Sequence, residues 1–297
     1  MNIYEAKNIG ARIAGNPYVG RGIVIGKTAD GTKVAVAYFI MGRSANSRNR
    51  VFRLKDGALY TEPFDLSRVE DPSLIIYAAV RTEQNRLIVT NGDQTDTVCS
   101  FLKEGKTFRE ALETRAFEPD RPNFTPRISG MLTFGKGDFS YEMSILKSID
   151  DVGSDCARYF FSYPSKAGLG HFLHTYVTDG SPIPTFQGEP ERIVIPDEID
   201  AFTSDLWENL DSQNKISLYV RKKAGTSGAA GEATEIKIPA RPETPAKITK
   251  VTKNSYYIKV AGTAVDGCEY GISESVDGKL QWQLEKTFTP LTPAHTY

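Results

Sequence analysis

Arg86 to Thr90 reads as a short β-branched strand, and a few residues later the apolar period changes. Val98, Phe101 and Leu102 fall on one helical face, which Gly105 ends. Between the two lies Asn91-Gly-Asp-Gln-Thr-Asp-Thr97, a strand-to-helix turn crowded with polar groups. This seam commits the chain to helices laid against a sheet. It also aims main-chain N–H groups at the helix start, where an anion is readily received. Asn, Asp and Thr are equally the residues that ordinary turns and N-caps prefer, so both readings stand.

Two further seams resemble it: Gly42-Arg-Ser-Ala-Asn-Ser-Arg-Asn-Arg50 follows the apolar run Val34 to Met41, and Phe124-Thr-Pro-Arg-Ile128 opens another. Gly22 to Lys27 and Lys33 to Met41 flank Ala29-Asp-Gly31 as a hairpin. Leu74 to Val80 and Arg86 to Thr90 form a second hairpin around Thr82-Glu-Gln-Asn85. Ser140 to Leu146 and Arg158 to Tyr163 read as strands. Thr107 with Glu110 offers a capping box, and Ile199, Phe202, Leu206 and Leu210 share a face of a helix over 198–210. Residues 1–15 read as a polar extension. The class is α+β.

After Tyr219-Val-Arg221 the composition shifts to a Gly/Ala-rich stretch followed by Pro239, Pro242 and Pro245, a flexible-linker signature. The expected organisation is a large domain over 1–222, a linker over 223–245 and a small β tail over 246–297. Short strands are expected at 248–251, 256–260, 269–272 and 281–284. The paired spacing, Trp282 and the ending Leu291-Thr-Pro-Ala-His-Thr-Tyr297 resemble part of a fibronectin type III-like module.

Lys plus Arg number 36 against 37 for Asp plus Glu, so no global positive field favours nucleic acid or a membrane surface, and any anion site is local. The opening residues lack a signal-peptide core, and no run approaches the roughly 18 apolar residues of a membrane span. A cytoplasmic protein is expected. Cys99, Cys156 and Cys268 are odd in number and widely spaced, which fits inert thiols rather than a zinc site. Gly22-Ile-Val-Ile-Gly-Lys-Thr28 has three residues between its glycines where a P-loop needs four. His171 and His174 lack a third metal ligand, and an alternating, partly buried strand or loop suits them better. No GxSxG elbow is present.

Arg43, Arg48, Arg50 and Arg53, with no acidic residue between Gly42 and Lys55, form either a solvated basic loop or a phosphate site, since guanidinium groups bind phosphate bidentately. In the seam at 91–97, Asp93 or Asp96 stands ready to accept hydrogen bonds from ribose hydroxyls or an amide.

Taken in order, Tyr18-Val-Gly-Arg-Gly22, Gly42 to Arg50, Tyr77-Ala-Ala-Val-Arg81, Asn91 to Thr97 and Thr125-Pro-Arg-Ile128 resemble the archaeal-type inosine monophosphate (IMP) cyclohydrolase family. The likeness covers roughly 17–130. It implies a four-layer αββα sandwich resembling the N-terminal-nucleophile hydrolases without their self-processing, in keeping with Asn at position 2. It implies closure of the purine ring of 5-formamidoimidazole-4-carboxamide ribonucleotide to IMP and water, with no metal or organic cofactor. By the resemblance, Arg50 polarises the formyl oxygen, Tyr77 transfers a proton or stabilises the oxyanion, and Glu118 activates or orients the carboxamide.

Arg43, Ser44, Arg48, Asn91, Asp93, Thr95 and Arg127 then become candidates for binding phosphate, ribose and base. The segment at 42–50 is longer than the family's Arg-Ser-Phe-Pro-Asn-Arg form, which leaves Arg48 as the alternative to Arg50. The expected partner is a small purine nucleotide, and a homo-oligomer is compatible with the sequence. Two other functions stay open: a nucleotide-binding protein without catalysis that uses its tail for interaction, and an amidohydrolase activated by cleavage.

Overall fold

A computed structural model describes residues 4–65, 76–135 and 137–224, together with strand backbone within 235–288. The chain divides into one unit over 1–240 and another over 241–297.

The first unit begins with α1 (Ile9–Ile13), whose Asn8 cap accepts the Ala11 N–H at 2.8 Å. The expected polar extension thus contains a helix. Its five residues are too few to show a period, yet Ile9 and Ile13, one turn apart, are both buried. Next come β1 (Arg21–Lys27) and β2 (Lys33–Met41), the expected first hairpin. The basic segment contains the short α2 (Ala45–Arg48), where the sequence reading has only a loop; Ser44 and Ser47 close a reciprocal capping box around it. Then follow β3 (Val51–Lys55), β4 (Ala58–Glu62), β5 (Tyr77–Glu83) and β6 (Arg86–Thr90). The period change appears as α3 (Gln94–Lys103), and the Thr107–Glu110 box as the start of α4 (Phe108–Glu113). The chain continues through β7 (Arg127–Phe134), β8 (Phe139–Ser148), β9 (Cys156–Pro164), β10 (Leu169–His174), β11 (Glu191–Val194), α5 (Ile199–Asn209), β12 (Lys215–Ala224) and β13 (Glu235–Lys237). The stretch expected as linker therefore includes β13, which pairs with β12.

These strands build two sheets whose strand pairings are all antiparallel. One has the order β11-β10-β1-β2-β12-β13, and the other runs β3 to β9 in chain order. Ile23, Ile25 and Tyr38 of the first sheet meet Tyr77, Val89 and Ile128 of the second in a shared core. On its other face the first sheet buries Val24, Phe39 and Leu218 against Ile9 and Ile13 of α1 and Phe202 and Leu206 of α5. The second sheet buries Ile88 and Met131 against Val98 and Leu102 of α3 and Phe108 and Leu112 of α4. Side chains alternate across a strand, so β1 sends Ile23 and Ile25 to one layer and Val24 to the other. A strand covered on both faces has no polar side to show, which is why Val34 to Met41 is apolar throughout.

The second unit contains β14 (Ile248–Lys253), β15 (Ile258–Gly262), β16 (Tyr270–Ile272), β17 (Gln281–Gln283) and β18 (Thr287–Phe288). Its pairings are β14-β15-β18 and β16-β17. The four expected strands overlap these elements. The ending Leu291 to Tyr297 and Cys268 lie outside the described residues. Burial raises the thiols of Cys99 and Cys156 above their usual value, consistent with inert cysteines.

His171 and His174 lie on β10, a strand as expected, but one buried at five of its six positions rather than alternately, because both of its faces are covered. The His171 ring stacks on Tyr163 at 3.7 Å, and its Nδ1 shares a 2.6 Å hydrogen bond with the Tyr141 hydroxyl. Burial, aided by Arg192, depresses the His171 imidazolium to about 4. The folded value lies below the unfolded one, so as pH falls the unfolded chain takes up the proton first. Stability from the neutral ring is therefore lost between about pH 6.5 and 4. Melting temperature measured across this window should fall with pH, and His171→Phe should make the decline shallower.

Candidate functional site

In the first sheet, β1 starts where β2 and β10 end, with Arg21 opposite Ile40 and Gly22 opposite His174. In the second, β7 starts where β6 ends, with Thr90 opposite Ser129. The Tyr38 and Tyr77 hydroxyls meet at 2.9 Å across the two sheets, which brings these strand termini to one end of the sandwich.

Arg21, Arg50 and Glu118 are all buried there, at 8%, 3% and 5% relative exposure, a fraction at which charged groups ordinarily have close partners. Here they do not. Arg50 donates from Nε to the Ser47 carbonyl at 2.8 Å. The Arg21 Nε is buried without a hydrogen-bond partner among the described residues. Burial opposes the charge on Arg21, but Glu118 and the phenols of Tyr18, Tyr176 and Tyr77 hold its proton above the usual arginine value. Arg50 is pushed down, by burial first and by Arg21 second. Burial pushes the Glu118 carboxyl up, against the pull of Arg21, Arg127 and Arg50.

The turn carrying Glu118 is firmly built. Its N–H donates to the Thr125 carbonyl at 2.9 Å. The Asp120 carboxylate accepts the Thr125 N–H at 2.6 Å and its hydroxyl as well, and Thr125 Oγ1 shares a 2.6 Å bond with the Tyr176 hydroxyl. Tyr176 in turn stacks on Tyr18, ring centroids 5.8 Å apart. Gly20 makes this approach feasible: its φ is +77°, and a Cβ there would lie 2.1 Å from Thr175 Oγ1.

The seam at 91–97 supports the site from behind. Asn91 accepts the Ile128 N–H at 2.9 Å and the Gln94 amide at 3.0 Å, and donates to the Pro126 carbonyl at 2.9 Å. Thr95 is bonded to Thr90 at 2.7 Å. Both side chains are buried and engaged inside the protein. Asp93 holds Arg127 at 2.7 Å and Arg115 at 2.5 Å, and these arginines outweigh the effect of burial to keep its carboxyl below the ordinary value. Gln94 Oε1 accepts a second bond from Arg127 at 2.6 Å. Asp96 is exposed and paired with Arg81.

The basic segment divides by burial. Arg48 is exposed and ties its own loop together, donating to the Gly42 carbonyl at 3.0 Å and Asn214 at 3.2 Å, whereas Arg50 enters the buried cluster. Ser44 caps α2. Arg43 pairs with Asp179 and lies 5.2 Å over the Tyr18 ring, at the rim. Among the sequence candidates, then, Arg50, Tyr77 and Glu118 are assembled in one cluster, and Arg127 acts on Glu118. The side chains of Asn91, Thr95, Ser44 and Arg48 are bonded within the protein and lie outside that cluster. Arg21 and Tyr38 are additions, although Arg21 stands in the stretch Tyr18 to Gly22 and is an arginine heading an apolar strand. Among the described residues, no group of three or more His, Cys, Asp or Glu side chains is placed to hold a metal ion.

Arg21 and Arg50 stand with Glu118, while Asp93 is shared between Arg127 and Arg115 and Asp120 adds one further carboxylate, so the arginines outnumber the carboxylates and the cluster carries a net positive charge. A buried donor without an acceptor costs about 1–3 kcal/mol, which an anionic ligand would recover. Inorganic phosphate should accordingly raise the melting temperature of the protein. It should raise that of Glu118→Gln further and leave Arg21→Met unmoved, as read by thermal denaturation across a phosphate series.

The family described as IMP cyclohydrolase-like protein matches residues 18–227, well over half of the chain. The IMP cyclohydrolase of Methanopyrus kandleri is 37% identical over 123 residues, covering 40% of this chain and 60% of that protein. That of Methanococcus aeolicus is 30% identical over 163 residues, 54% of this chain and 74% of the relative. That of Methanococcus maripaludis is 36% identical over 121 residues, 39% and 58%. The chain thus spans about 60% of the length of the first of these relatives.

Proposed function

The chain belongs to the IMP cyclohydrolase-like family, and on that premise we propose that it closes 5-formamidoimidazole-4-carboxamide ribonucleotide to IMP and water. The observation that carries this reading is the buried cluster of Arg21, Arg50, Tyr77 and Glu118, net positive and with the Arg21 Nε unbonded among the described residues. An anionic, planar, polar substrate matches that deficit. The sheet pair with helices on both outer faces supports the four-layer αββα arrangement of the N-terminal-nucleophile hydrolases. A cytoplasmic setting fits a small nucleotide substrate.

The reaction is intramolecular, so holding carboxamide and formyl groups coplanar supplies much of the acceleration. What remains is electronic. As the carboxamide nitrogen bonds to the formyl carbon, Glu118 takes a proton from that nitrogen. Tyr77 gives one to the formyl oxygen, with the charge of Arg50 stabilising the oxygen as it develops. The resulting hydroxyl then leaves as water with the proton held by Glu118. The formamido nitrogen returns its proton to Tyr77 as the C=N bond forms. Both side chains end as they began. Arg43 and Arg127, at the rim and beside Glu118, are candidates for phosphate and base, with Ser44, Arg48, Asn91, Asp93 and Thr95 shaping the segments that present them.

Glu118 must be ionised to act as the base. Since burial raises its carboxyl, the rate should fall on the acid side at a pH above the usual carboxylate range. Purified protein incubated with the ribonucleotide should form IMP faster than the spontaneous reaction. Arg50→Ala should abolish the acceleration, while Glu118→Gln should lower kcat by about 100-fold or more and erase the acid limb. Tight IMP binding with no acceleration would instead identify a nucleotide-binding protein, with the unit at 241–297 as its interaction module.

A further inference from the structure

The Tyr38 hydroxyl has Tyr77 as its one hydrogen-bond partner among the described residues, at 2.9 Å. Tyr38 is fully buried, at 0% exposure, within the core between the sheets, and Tyr77 stands at 5% on the first residue of β5. Each phenol has one hydrogen to give, and only one of the two hydrogens can occupy the bond between them. If Tyr77 donated, the Tyr38 hydrogen would be left buried beside Arg21 and Arg50, which offer no acceptor, and with none other among the described residues, the costly arrangement for a buried polar group. If Tyr38 donates, the Tyr77 hydrogen is released toward the end of the sandwich, where Arg21, Arg50 and Glu118 converge. Burial first, and Tyr77 second, raise the Tyr38 phenol well above its usual range, so it stays protonated and has a hydrogen to give.

We infer that Tyr38 is a positioning residue: by donating to the Tyr77 oxygen it forces the Tyr77 hydroxyl to present its hydrogen to the substrate, and it stabilises negative charge on that oxygen once the hydrogen is given up. The second half of this inference rests on the proposed ring closure; the direction of the hydrogen bond does not. Tyr38 touches no reacting atom. Its effect passes through Tyr77 alone, which separates it from a residue that merely fills the core.

The test joins kinetics to spectroscopy. With wild type turning over, Tyr38→Phe should lower kcat about tenfold, the equivalent of one hydrogen bond to the transition state, and leave KM within about twofold because no substrate contact is lost. In a Tyr77→Phe background the same change should cost less than about twofold, since the group it acts through is gone. Equal losses in both backgrounds would overturn the inference, as would full kcat in Tyr38→Phe. Independently of turnover, the hydroxyl proton of Tyr38 should give a downfield, slowly exchanging resonance that is absent in Tyr38→Phe and moves upfield in Tyr77→Phe. A Tyr38 proton whose resonance is unmoved by Tyr77→Phe would refute the donor assignment even if the protein closes no ring. Absence of acceleration by wild type, with the resonance behaving as stated, would refute the proposed reaction and leave the hydrogen-bond direction standing.

Discussion

The end of the sandwich depends on two guanidinium groups and one carboxylate being taken out of water without neutralising one another. Arg21, Arg50 and Glu118 feel each other's charge, yet among the described residues the Arg21 Nε has no partner and Arg50 bonds a main-chain carbonyl through its own Nε. Burying an ion is expensive unless it is paired and hydrogen-bonded. A chain that maintains an unpaired excess of positive charge in its interior must hold these side chains by other means, and the rest of the architecture supplies those means.

Support comes from segments outside the cluster. Asp120, Thr125 and Tyr176 close a hydrogen-bonded turn around Glu118, and Asn91 with Gln94 ties the end of β6 to the start of β7. Asp93 and Gln94 fix Arg127, and Gly92 leaves room for its guanidinium, since a Cβ there would approach Nη1 to 2.4 Å. Each of these contacts is satisfied within the protein. Within the cluster, by contrast, the Arg21 Nε is buried without a partner among the described residues, and there binding energy from an anionic ligand can be realised. Asn91 and Thr95 at 91–97, read in sequence as candidates for binding, have their side chains bonded within the protein, to β6, α3 and the start of β7.

The sequence disclosed the elements whose period is long enough to count. The hairpins at 22–41 and 77–90, the helix after Gln94 and the box at Thr107 were legible because apolar spacing and capping chemistry are local. α1 was not, because five residues carry too little periodicity, and α2 was hidden within a run of short polar residues. At the site, Arg50, Tyr77 and Glu118 were reached through resemblance, whereas Arg21 and Tyr38 required the fold. Tyr38 sits in an apolar run where an aromatic residue ordinarily fills space. Its role depends on Tyr77, 39 positions away on the other sheet, a distance that no window of sequence spans.

Arg48 and Arg50 show why position within a fold outranks residue type. They are two residues apart, bear the same charge and lie in the same basic segment. The short helix α2 ends between them, and the chain then enters β3. Arg48, in the last turn, folds back on Gly42 and Asn214. Arg50, immediately before the strand, is swept inward with Val51 and Phe52, both buried. The break in backbone direction at Asn49, whose amide is itself fixed to Asp65 by bonds of 2.7 and 2.8 Å, separates a solvent-facing arginine from a buried one. The longer basic segment therefore does not blur which arginine enters the cluster. The capping box at Ser44 and Ser47 sets where the helix begins and so where the strand can receive Arg50, and the Ser47 carbonyl then holds the guanidinium that this geometry delivers.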